Sequence, residues 1–329
     1  MRLARIATPD GAHLAVVEGA LPDDPADDPA DDAPALDGLT VVDITAAEPT
    51  FGDDVVAVLA AGDAGRDAVT AALAAAPASA RRPLAETRLL APVPRPPRFL
   101  AIGFNFRGHE ADAGAAPPAF PLFFNKQTTC VTGPTDPIQA PPSSTQLDYE
   151  GELVMVIGRR CRHVPADRAA EVVGGYLVGN DVSARDWQRR SPTVTLGKSF
   201  DATAPTGPWV TTADDVADPH DLRIRTWVNG EQVQDGRTAD MITDCWAQIA
   251  LLSSVFTLEP GDLISTGTPP GAAQQSADPR WLRPGDRVSV AIDGLGLIDN
   301  EVVAAPETTV IDPHRRWPPS GPSPQGGSR

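Results

Sequence analysis

Two glutamates one residue apart, Glu150 and Glu152, stand at the threshold of the apolar run LVMVIG at 153–158. Side chains alternate along a strand, so the two carboxylates leave the same face and lie close together. Buried there without a counter-charge, they would raise one another's pKa and cost several kcal/mol, a penalty that a hard cation removes. A lone pair of this kind is more often a solvated strand end, since glutamates are mostly exposed. Its weight rises with Asp181, where the apolar segment GYLVGN at 175–180 ends and a helix-like segment begins. As a third oxygen ligand, Asp181 completes an all-carboxylate set suited to Mg²⁺ or Mn²⁺ and tolerant of Ca²⁺, with the remaining positions left to water and substrate. The plainer alternative makes Asp181 or Ser183 a helix cap.

Further along, Arg185 and Gln188 are three residues apart and share a helix face. If that helix starts beside the metal, the face presents a cation and an amide to a bound carboxylate; Asp186 and Arg189 fall on a different face, placed to pair with each other. Lys198, next to Gly197 in LGKSF, can bind or protonate an enolate, and a nearby divalent cation would lower its pKa. In GDLISTGTPPG at 261–271 a short strand runs into a loop where Thr268 and backbone N–H groups such as that of Gly267 can hold a carboxylate. His109 is the one histidine of five set among small and polar residues, in FNFRGHEADAG, and Asp112 follows three positions later. A histidine oriented by a carboxylate is a general base able to take a proton from water near neutral pH. Each of these residues, read alone, is also an ordinary surface or turn residue.

From about 99 to 305 the chain consists of short apolar strands separated by Gly and Pro turns, with helical segments near 164–173, 182–190 and 240–256. The helices are too few and too irregular for repeating βαβ units, which predicts a β-rich α+β fold. Upstream, the strand-like LTVVDIT at 39–45 and an Ala-rich helical stretch at 53–76, broken near Ala61–Gly62, mark a small amino-terminal domain over 1–92. Its acidic loop at 21–37 repeats DDPA and holds too little apolar content to pack. Pro92, Pro94, Pro96 and Pro97 stiffen the connector to a catalytic domain at 95–310, and 313–329 reads as a disordered tail.

With 44 Asp and Glu against 27 Lys and Arg, the net charge is -17. Such a field repels nucleic-acid phosphates and anionic membrane surfaces, so neither is an expected partner. It also repels a small anionic substrate, which therefore needs local positive charge from a metal, Arg or Lys. No apolar stretch approaches the roughly 20 residues of a membrane span, and the amino terminus lacks a secretory run. Cys130, Cys161 and Cys245 are scattered without C-x-x-C spacing. A cytoplasmic protein with reduced thiols is expected. The lack of a G-x-G-x-x-G turn in a βαβ setting excludes a Rossmann oxidoreductase.

Taken in order, IGFNFRGH, DYEGEL, GYLVGNDVSARDWQ, GKSFDATAPTGPW and STGTPPG, followed by the closing pair LRPGDRVSVAIDGLG and IDNEVV, resemble the fumarylacetoacetate hydrolase family over roughly 95–305. The resemblance implies a mixed, rolled β-sheet with the metal at its mouth on Glu150, Glu152 and Asp181, and commonly a homodimer. It implies further that Arg185, Gln188, Lys198, Gly267 and Thr268 surround the 2-oxo carboxylate end of the substrate. Family members that cleave carbon–carbon bonds use a lid histidine and glutamate to activate water; His109 matches the histidine, while Asp112 stands where the glutamate belongs. The activity expected from this is hydrolysis of a small 2,4-dioxo acid of acylpyruvate type through a metal-stabilised enolate. Decarboxylation, isomerisation or hydration of a 2-oxo dicarboxylic acid in the same site is the alternative, and a non-catalytic metal-dependent 2-oxo acid binder is the alternative of another class.

Overall fold

The computed structural model of the protein describes residues 1–21, 38–108 and 120–306. The acidic repeat from 22 to 37, the lid residues His109 and Asp112, and the carboxy-terminal tail lie outside them. The heart of the fold is the strand Gly151–Ile157, buried along its whole length. It pairs antiparallel with Val173–Asn180 on one side and with Leu263–Ser265 on the other. Leu263–Ser265 pairs in parallel with Phe99–Gly103, which pairs antiparallel with Leu122–Lys126. The sheet is therefore mixed, as expected.

Both faces of the central strand are covered, which explains why LVMVI is apolar without alternation. Leu153, Met155 and Ile157 face a second sheet, built on Arg223–Val228, Arg287–Ile292 and Gly296–Ala304, together with the helix Cys245–Val255. Val154 and Val156 face the other way, onto Val55, Val58 and Leu59. Those three belong to the helix Val55–Ala60, which is followed after Gly62 (φ +60°) by the helix Asp63–Ala75, so the predicted break falls where the sequence placed it. The three predicted helical segments of the larger region are shorter than expected: a 3₁₀ stretch at Ala166–Val172, a single turn at Arg185–Gln188, and the helix Cys245–Val255.

The amino-terminal strands extend the same sheet. Arg2–Thr8 pairs with Ala204–Thr212, the neighbour of Val173–Asn180, and the hairpin with Gly11–Glu18 then leads to Thr40–Asp43. The proline connector thus joins two regions that share one continuous hydrogen-bonded layer. All three cysteines are free, as expected. Among the described residues no helix is long and apolar enough to cross a membrane.

Gly151 separates the two glutamates and turns toward the second sheet, where a Cβ would lie 2.3 Å from Thr226 Oγ1 and 2.9 Å from Val290 Cγ1. Gly151→Ala is accordingly expected to destabilise the fold by about 1–3 kcal/mol and to weaken divalent-cation binding by displacing its two neighbours. Thermal melts with and without Mn²⁺ test this; an unchanged melting temperature would contradict it.

Candidate metal centre and substrate cleft

Glu150, Glu152 and Asp181 converge at the end of the central strand pair, with ligand oxygens all within 4.8 Å of one another and all three residues buried. Strand pairing puts them there. Gly151 lies opposite Asn180, and the Asp181 amide donates to the Glu150 carbonyl at 2.8 Å while the Asn180 side-chain oxygen accepts from the Glu150 amide at 3.0 Å. The sequence-based convergence of three carboxylates on one point is what the backbone delivers.

Three buried cations surround these acids. Lys198 Nζ bridges Glu150 Oε2 and Asp181 Oδ2, the latter at 2.7 Å. Arg185 lies 2.6 Å from Glu150 Oε1 and also pairs with the buried Asp148. Lys126 Nζ donates to the other Asp181 oxygen, Oδ1. Burial alone would raise the Glu150 pKa, but Arg185 and Lys198 outweigh it and hold the group down at about 2. Burial would lower Lys198, yet Asp181 and Glu150 keep it above its ordinary value, so among protein groups alone it is a firmly held ammonium.

Glu152 differs from its neighbours. It accepts from the Ser265 hydroxyl and, at 2.9 Å, from the Gly267 amide, but makes no ion pair among the described residues. Burial first, then Asp181 and Glu150, push its pKa up to about 8. A buried oxygen-only donor set with one carboxylate short of positive charge fits a hard divalent cation.

A cleft opens over these acids. Arg185, Gln188 and Gln274 form one wall, and Ile102, Phe104 and Phe124 form an apolar one. Gln188 and Arg185 do share a face, and Arg185 Nη1 donates to Gln188 Oε1 at 2.9 Å. Asp186 and Arg189 do not pair: Asp186 accepts from Ser144 Oγ at 2.6 Å, and Arg189 donates to Gln146 Oε1. Gly267 gives its amide to Glu152, and its φ of +94° brings it against Asn105, where a Cβ would lie 2.8 Å away. Thr268 lines the cleft while donating to the Gly151 carbonyl at 2.9 Å and accepting from Gln234 Nε2 at 2.8 Å.

Lys126, Asp148 and Gln274 escaped the sequence reading. Lys126 left a trace, as a cation at the end of the largely apolar strand Leu122–Lys126. Asp148 precedes Glu150 by two. Gln274 carried no signal: it lies in a polar run beyond the last motif, and only the folded chain brings it to Arg185.

The family model described as "Fumarylacetoacetate (FAA) hydrolase C-terminal" matches residues 98–303. The chain belongs to the fumarylacetoacetate hydrolase family. Within that family it is 38% identical over 307 residues to the mitochondrial oxaloacetate tautomerase FAHD2A of Bos taurus, with 92% of each chain covered. The crystal structure of 2-hydroxyhepta-2,4-diene-1,7-dioate isomerase from Mycobacterium marinum superposes with a TM-score of 0.70 at 38% identity, covering 92% of this chain and 98% of that one. Maleylpyruvate hydrolase from Sphingobium sp. SYK-6, in complex with manganese (II) ion and pyruvate, gives 0.73 at 32% identity, covering 93% and 100%. The protein is an enzyme of this β-rich family, and the hydrolase expectation now stands beside tautomerase and isomerase relatives of equal or higher identity.

Proposed function

We propose that the protein is a Mg²⁺- or Mn²⁺-dependent isomerase that interconverts the enol and keto forms of a small 2-oxo dicarboxylic acid of the oxaloacetate type. The observation that carries this reading is the buried Glu150, Glu152 and Asp181 centre with the Lys198 ammonium lodged between two of its members. A divalent cation held there supplies Lewis acidity toward a 2-oxo oxygen. Lys198 Nζ has three N–H donors, two of them on Glu150 and Asp181, which leaves one for a substrate oxygen. With two of its N–H groups fixed on Glu150 and Asp181, Lys198 presents the third as a donor to the developing enolate. The Phe124 ring, its centroid 5.2 Å from Lys198 Nζ, covers one side of the ammonium and lowers the local polarity in which that charge-assisted bond would form. Enol-to-keto conversion breaks the enol O–H bond and forms a C–H bond at C3, one proton leaving and one arriving, with no carbon–carbon bond cleaved and no water added.

The maleylpyruvate hydrolase neighbour and the histidine in IGFNFRGH favour a second reading, hydrolysis of a 2,4-dioxo acid with His109 and Asp112 activating water. Purified protein with Mg²⁺, given enol oxaloacetate and acetylpyruvate in separate assays with pyruvate measured as product, separates the two. Accelerated loss of the enol without pyruvate, retained in His109→Ala, is expected. Acetylpyruvate cleavage that disappears in His109→Ala, with enol decay left at the background rate, would replace the isomerase with the hydrolase.

A further inference from the structure

Arg185 carries five N–H donors. Nε donates to Asp148 Oδ2 at 2.8 Å, Nη2 reaches Asp148 and Glu150, and Nη1 donates to Gln188 Oε1 at 2.9 Å. Gln274 abuts the same guanidinium. An amide NH₂ there would set donor against donor, whereas with its oxygen turned inward Gln274 accepts from Nη1 and Nη2 at 3.2 Å each. The guanidinium is thus engaged on every edge by protein. Both amide oxygens meet at one Nη1, so the two side chains converge, and each is left with its NH₂ group for the cleft that both line. Among the described residues Gln188 Nε2 donates to no protein acceptor.

The arrangement is held from behind. Asp148 accepts from the Ala273 amide at 2.8 Å and the Gln274 amide at 3.2 Å while pairing with Arg185, so one buried carboxylate ties down both the loop bearing Gln274 and the turn bearing Gln188. Exposure increases along this wall: Glu150, Glu152 and Arg185 are buried, Gln188 is half-buried, and Gln274 is exposed at the mouth. This wall thus leads from the carboxylate floor past Gln188 to Gln274 at the mouth.

We propose that Gln274, paired with Gln188, forms an amide clamp for a hydrogen-bond acceptor at the distal end of the substrate, with Arg185 as the positioning residue that aims it. This rests on the 2-oxo acid reading of the cleft. Two neutral NH₂ groups receive a carboxylate or acyl oxygen at C4, whereas a hydrocarbon tail leaves them unpaired, so the clamp selects 2-oxo acids bearing an oxygen acceptor at C4.

Oxaloacetate kinetics and calorimetric binding of oxalate, both with Mn²⁺, test the clamp, because oxalate has no distal group. Gln274→Leu is expected to raise KM for oxaloacetate roughly tenfold to a hundredfold, more than it lowers kcat, and to leave the oxalate Kd within about threefold. Gln274→Glu keeps an acceptor on Arg185 but sets an anion at the mouth, and should raise KM further. An unchanged KM in Gln274→Leu overturns the clamp. So does a loss of oxalate affinity equal to that for oxaloacetate, which would make Gln274 a support of the metal centre. Wild-type protein that neither binds oxalate nor turns over oxaloacetate overturns the 2-oxo acid reading, and the clamp with it.

Discussion

Glu152→Gln is expected to abolish divalent-cation binding while stabilising the metal-free protein at alkaline pH. The glutamine oxygen still accepts from Ser265 and Gly267, but the repulsion from Asp181 and Glu150 disappears. Because the folded Glu152 pKa of about 8 lies above the ordinary 4.5, its proton stabilises the fold fully below 4.5, and that stabilisation is lost as the pH rises through 8. Glu150 behaves oppositely: held at about 2, it contributes stability above 4.5 that is lost as the pH falls toward 2. The wild-type protein without metal should therefore lose on the order of a few kcal/mol between pH 5 and 9, and Glu152→Gln should not. Mn²⁺ should restore the wild type increasingly as Glu152 deprotonates, and should leave the variant unmoved. Thermal melts across pH with and without Mn²⁺ decide the matter; a variant that Mn²⁺ still stabilises would remove Glu152 from the ligand set.

Lys198→Met should lower kcat by roughly 10²–10³, the scale of removing one donor aimed at a developing oxyanion. Lys126→Met provides the contrast. Its ammonium also pairs with Asp181, but on Oδ1 rather than the Oδ2 that Lys198 holds, and it is absent from the cleft lining. Either change leaves a buried carboxylate short of a partner, costing about 3–5 kcal/mol without metal. The loss in Lys126→Met should therefore appear in the melting temperature more than in kcat, and Mn²⁺ should recover more of it. Equal kcat losses in the two variants would show that Lys198 acts on the centre's charge balance and not on the substrate.

Much of this was legible before the fold was known, and the physical reason differs by residue. The carboxylate pair could be placed because strand alternation is a strict geometric rule, and Asp181 because an apolar run ending in an acid is unusual. The break at Gly62 was visible as a glycine between two Ala-rich stretches. Pairing of Asp186 with Arg189 failed because helix-face arguments consider only local neighbours, and Ser144 and Gln146 reach the same turn from elsewhere in the chain. Arg185 was read as a cation facing a bound carboxylate; that two acids and two amides of the protein also surround it is set by strand and loop packing and invisible to spacing. The sharing of one sheet by the amino-terminal strands and the catalytic region was equally hidden, since strand pairing across such separations leaves no trace in periodicity.

That shared sheet has a consequence for biosynthesis. Arg2–Thr8 leaves the ribosome well before its partner Ala204–Thr212, which follows only after Glu150, Glu152 and Asp181 have been made, on the order of tens of seconds later at ordinary elongation rates. Until then the early hairpin presents an open edge to other nascent chains. Pairing at so great a sequence separation also makes closure slow. Chaperone dependence during translation, and aggregation of chains released before residue 212, are the expected cellular counterparts of a layer stitched from strands far apart in the polypeptide.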